Sequence, residues 1–235
     1  MRHDPDGFTA RGLRSWANSL IAALDPGCFA FVMATGIISN ALWFEGFRWL
    51  SDALLAINVL GYSWLAALTL LRLARFRQAV WADLTNPRLV FSFFTIVAAS
   101  CVLGAGASLR DFTTTASVLW IFAFAIWFVL IYFGFGVFAF LNTAGRADVV
   151  HGAWLIAIVG TEALVILGTQ IAVSAGGLSG AVLVVGHMLW GTGLCLYAIF
   201  IALFAHRVFF FEVRTEDMTP NFHCPGADRQ TADKG

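Results

Sequence analysis

The side chain with the most chemical potential in this sequence is Glu162, set in the apolar run HGAWLIAIVGTEALVILG. A carboxylate among valines, leucines and isoleucines is costly whether it stays ionised or takes up a proton, so it marks a bundle interior or a path that water can enter. There it could couple transport to protons or set ion selectivity; the plainer alternative is a neutral acid hydrogen-bonded to a neighbouring helix. Hydroxyl and small residues recur in comparable runs: Thr35, Gly36 and Ser39 in one, Thr95 in another, and Thr161, with Trp154, in the run that carries Glu162. Small and hydroxyl side chains let helices approach closely or line a narrow polar path. Close packing suffices for any one of them; the threonines taken together point to a path.

Other chemistries lack a constellation. Haem ligation needs paired histidines at matching depth, and His187 has none, since His151 and His206 fall at the edges of apolar runs. No HExxH, GxSxG, Walker or dinucleotide-binding motif stands in a suitable context, so neither an enzyme nor a bound metal or cofactor is expected. Cys28, Cys101, Cys195 and Cys224 are far apart, and three lie in apolar runs, which suits packing residues better than a disulfide or metal framework.

The elements that hold these residues follow from composition. Of 235 residues, 60% are hydrophobic and 12% charged, against roughly 25% charged in an ordinary soluble domain. Mean hydropathy is +0.81, and the apolar residues are gathered into long stretches. A spanning helix needs about 20 apolar residues to cross about 30 Å of hydrocarbon. Six stretches qualify, at about 27–44, 53–71, 89–107, 118–141, 153–175 and 181–205, and Glu162 is the one formal charge within them. The expected class is an all-α integral membrane protein of three tandem hairpins. A cytoplasmic segment, 1–25, precedes the helical domain, 26–211, and a polar tail, 212–235, expected to be disordered, follows it. The first run has no small-residue cleavage site after it and is expected to stay as a span.

Arginine and lysine fix the orientation, because connections on the cytoplasmic side are enriched in them. Of the 14 such residues, Arg48 and Arg110 fall on one side of the six-span arrangement and the rest on the other, so both termini are expected inside the cell. Net charge is zero, which gives no electrostatic reason for a nucleic-acid partner. Asp25-Pro26 and Asn86-Pro87 each place a capping residue before proline at the start of a run, and His151-Gly152 opens the fifth. Hairpin units of roughly sixty residues follow. Repeating hairpins make the odd spans parallel, with their partly positive amino termini at one mouth, where they attract anions; helix caps at the lipid interface would look the same in sequence.

Four stretches, PGCFAFVMATGIISNALW, NPRLVFSFFTIVAAS, HGAWLIAIVGTEALVILG and HMLWGTGLCLYAIFIALFAHRVFF, resemble the tellurite-resistance/C4-dicarboxylate transporter family, which includes slow-type anion channels, a malate permease and a sulfite efflux pump. The likeness runs from about residue 20 to about residue 220. It implies ten helices in five hairpins, with odd helices around a central pore, commonly as a trimer, in the cell's inner membrane. It also implies small anions as substrates: C4-dicarboxylates, sulfite, halides or tellurite-related ions. After Met218-Thr219-Pro220 the sequence becomes NFHCPGADRQTADKG, too polar to span, where the resemblance implies a seventh helix. The chain is therefore expected to be the first part of such a fold, truncated, and transport by a single chain stays open. Thr35, Gly36, Ser39, Thr95, Trp154, Thr161 and Glu162 are the candidates for the path, and Glu162 for proton coupling. A membrane structural or interaction subunit that transports nothing itself is the alternative.

Overall fold

The computed structural model of the chain describes residues 21–86, 89–141, 152–173 and 176–210. The expected tail and most of the first segment, with Pro87, Arg88, Arg146 and His151, lie outside the described residues.

All regular structure among the described residues is helical. The helices are α1 (Phe29–Phe44), α2 (Arg48–Arg75), α3 (Arg77–Leu84), α4 (Phe94–Ser108), α5 (Thr113–Leu141), α6 (Ile156–Ala172) and α7 (Ser179–Phe210). Among the described residues, five helical stretches are long and apolar enough to cross a membrane. The fifth expected span differs: its α-helix has 17 residues, because Gly152–Leu155 winds as a 3-10 turn. That turn rises about 2 Å per residue, so turn and helix together still reach about 33 Å, enough for the hydrocarbon. The connection between the second and third spans holds α3, eight residues not foreseen as an element. The span expected at 53–71 runs further at both ends, as Arg48–Arg75.

The hairpin repeat is written in the backbone more clearly than in the residues. A 3-10 turn leads into each of α1, α4 and α6, at Pro26–Cys28, Val90–Phe93 and Gly152–Leu155. In the first, Asp25 Oδ1 accepts the Gly27 N–H at 2.6 Å, the capping that Asp-Pro predicts. At the other end of each hairpin, the backbone turns at a positive φ: Gly46 (84°), Asp111 (63°) and Gly176 (55°), in 65-residue steps. The first two are Schellman closures, in which the next residue's N–H reaches back five positions, Phe47 to Leu42 O and Phe112 to Ala107 O, both at 3.0 Å. Aspartate tolerates this left-handed conformation better than most residues.

α4 is the centre. It packs against α1, α5 and α6 along its length and against α2 more locally, and nearly all of FTIVAASCVLGAGAS is buried. Its small side chains permit this: a Cβ on Gly104 would lie 2.6 Å from Leu167, and one on Gly106 would lie 2.9 Å from Asn40 Oδ1.

Candidate functional site

Three antiparallel returns make α1, α4 and α6 parallel, and they stand in a row with α4 between the others. α2, α5 and α7 each pack on the α-helix that precedes them in the hairpin order. The three 3-10 entry turns adjoin in the same order at one end of the bundle. The amino termini of three parallel helices, with the partial positive charge of their dipoles, therefore share one mouth.

The predicted residues divide by what holds their polar atoms. Ser39 is buried at the α1–α2 contact, donating to Ser51 O at 2.7 Å while Ser51 Oγ donates to Ser39 O at 2.6 Å. Thr95, 5% exposed, shares its hydroxyl proton between Pro26 O (2.8 Å) and Ser92 O (2.7 Å), which ties the entry of α4 to that of α1. Thr161 faces α5: it accepts from Trp127 Nε1 at 2.8 Å and donates to Ala157 O at 2.8 Å. Trp154 is buried among rings, with centroids 4.9 Å from Phe91 and 5.8 Å from Phe200. Gly36 is a contact point, since a Cβ there would lie 2.6 Å from Val102 and 2.9 Å from Asn58 Nδ2. Thr35 is half-buried, its hydroxyl donating to Phe31 O one turn back at 2.8 Å. Glu162 is also half-buried, and its carboxyl lies against Gly193 of α7, where any Cβ would collide with it.

A second set of polar groups, uncharged within the apolar runs and flanked by arginines at the run ends, lies between α1, α2 and α4. Asn58, fully buried, donates from Nδ2 to Val32 O. Asn40 Nδ2 donates to Val102 O at 3.2 Å. Tyr62 and Ser100 join at 2.7 Å; the Ser100 proton goes to Ile96 O, so Tyr62 is the donor. At the hairpin-turn end, Arg110 reaches Asp52 (2.7 Å), Ser51 Oγ (2.7 Å) and Gly106 O (3.0 Å), and its guanidinium stacks 4.5 Å from the Trp43 ring, which Arg48 also approaches at 4.1 Å. At the entry end, buried Arg72 holds Asp83 of α3 at 2.6 Å and Ala22 O at 2.9 Å. Single amides inside apolar runs, such as Asn58, were the available signal. Among the described residues, no group of three or more His, Cys, Asp or Glu is placed to hold a metal ion.

A mouth formed by parallel helix amino termini suits anions, and comparison with known families agrees: the profile of the voltage-dependent anion channel family matches residues 23–227. The chain belongs to this family. Neither a curated protein nor a solved structure matches it. Membership makes it a multi-pass membrane protein of an anion-conducting family, the type to which the sequence resemblance pointed.

Proposed function

We propose that the protein carries small anions across a membrane along the row of α1, α4 and α6, entering where their amino-terminal turns adjoin. The observation that carries this reading is that adjacency, in a chain of an anion-channel family. An anion leaving water needs compensation for lost hydration, and converging helix ends supply it without a mobile cation that would have to be released. Candidate substrates are C4-dicarboxylates, sulfite, halides and tellurite-related anions. The membrane is the inner one, with both termini cytoplasmic, an orientation supported by the arginine count. Association as a homotrimer belongs to the same proposal.

On this reading Ser39, Thr95, Trp154 and Thr161 fix the walls, and Gly36 sets the spacing between α1 and its neighbours. Thr35, the half-buried hydroxyl on α1, would meet the ion by turning its proton away from Phe31 O. Glu162 stands at the α6–α7 contact and would couple anion movement to protons. Purified protein reconstituted in liposomes and loaded in turn with malate, sulfite, chloride and nitrate tests the proposal: at least one anion is expected to leave faster than from empty liposomes. Glu162→Gln is expected to flatten the pH dependence of that flux, and an unchanged pH profile would remove Glu162 from the coupling.

A second reading has its own support. α1 and α6 flank α4 without packing along one another, so the row is open, as in a subunit completed by a partner. A stable hetero-complex without flux for any of these anions would decide for that reading and against transport.

A further inference from the structure

The connection between α2 and α4 sets unbalanced positive charge beside an apolar groove on α5. Arg72, Arg75 and Arg77 precede Asp83 in this stretch. Asp83 is consumed by buried Arg72 at 2.6 Å, and Asp25, at the same end of the bundle, is engaged in its own cap with the Gly27 N–H. Arg75 and Arg77 are exposed and form no ion pair among the described residues. Arg77 and Trp81 are four residues apart on α3 and share its exposed face. Trp81, 60% exposed, meets Phe133 of α5 edge-on, with centroids 5.6 Å apart. Phe133 also borders a shallow, open groove of about 410 Å³ on the face of α5, lined by Phe128, Val129, Tyr132 and Phe133. From Phe133 to Phe128 the groove descends about 7.5 Å along α5, away from α3 and toward the middle of the span.

We propose that this is a binding site for an anionic phospholipid, with the headgroup phosphate at Arg77 and Arg75, the glycerol region against Trp81, and an acyl chain in the groove on α5. Three adjoining features match the three parts of such a lipid: guanidinium for phosphate, an exposed indole for the ester zone, and aromatic and aliphatic side chains for the tail. A soluble anion uses only the first of these and leaves the groove unexplained. A zwitterionic lipid fills the groove but gains little from two uncompensated arginines. The site lies on the outer side of α5, away from the row of α1, α4 and α6, so it does not depend on the transport reading.

Fluorescence of the purified chain in nanodiscs tests this, with brominated acyl chains as quenchers and the difference between wild type and Trp81→Phe isolating Trp81. Brominated phosphatidylglycerol is expected to quench Trp81 at an about 25-fold lower mole fraction than brominated phosphatidylcholine. Arg77→Gln should reduce that preference about fivefold, the equivalent of about 1 kcal/mol per basic residue near an anionic surface. Arg75→Gln combined with Arg77→Gln should bring the two curves together; both residues are exposed, so folding is unaffected. Equal quenching by the two lipids in the wild type overturns the proposal, as does a preference that survives the double substitution. Equal quenching by the two lipids, with a Trp81 emission shift on adding inorganic phosphate, would assign the arginines to a free phosphate and overturn the lipid assignment.

Discussion

The two halves of the bundle meet at α4 and are fastened by different means. Toward α1 and α2 the contacts are polar: the Ser39–Ser51 clasp, the amides of Asn40 and Asn58, the Tyr62–Ser100 pair and the Arg110 knot, around a small apolar cluster of Phe29, Val32 and Ala99. Toward α5, α6 and α7 they are mostly aromatic, with Phe91, Phe94, Trp127, Trp154 and Phe200 buried in one large cluster. Hydrocarbon removes the hydrophobic drive for helices to associate, which leaves shape and hydrogen bonds to choose the partners. The first half relies on hydrogen bonds. The second relies on interlocking rings, with two indole donors, Trp120 to Leu164 O and Trp127 to Thr161, keeping the register.

Substitutions can break or sharpen this contrast. Phe91 touches Phe94, Trp154 and Phe200, and Phe91→Ala should have the largest effect, about 3 kcal/mol, because the surrounding rings cannot collapse into the space. Gly36→Val forces a Cβ onto Val102 and Asn58 and should cost about 2 kcal/mol by separating α1 from α2 and α4. Asn58→Ala should cost about 1 kcal/mol, the ordinary worth of an intramembrane hydrogen bond. Asp111→Val, a β-branched residue at positive φ, should cost about 1 kcal/mol or slightly less, while Asp111→Gly should be tolerated. Thermal unfolding in detergent, compared across this series, measures the order. If Asn58→Ala proved as damaging as Phe91→Ala, the contrast between the halves would disappear.

The spans were legible because hydrocarbon demands long uninterrupted apolar helices, and the arginines outside them are few and one-sided. The repeat was legible at Pro26 and Pro87 but not in its third copy, where a 3-10 turn forms without proline. Its clearest sign, a positive φ every 65 residues, was hidden because glycine and aspartate can both adopt it. α3 escaped notice because RQAVWADL is too short and mixed to show a period. For the site, residue type was readable and facing was not. Thr161 looks like a pore residue until Trp127, 34 positions earlier, is found donating to it. Asn58 carries no charge and so looked inert, yet it lies fully buried between helices.

The central claim is that anions move along the α1, α4 and α6 side of the bundle, and thiol accessibility tests it most directly. In a chain freed of its native cysteines, Cys would be placed at Ala34 and Thr35 on α1 and, as lipid-facing controls, at Leu60 and Trp64 on α2, which are 71% and 68% exposed. A negatively charged, membrane-impermeant thiol reagent is expected to modify the α1 positions, more slowly when a permeant anion competes, and to leave the α2 positions untouched. Equal silence at all four positions, or reaction at α2 alone, would contradict the account.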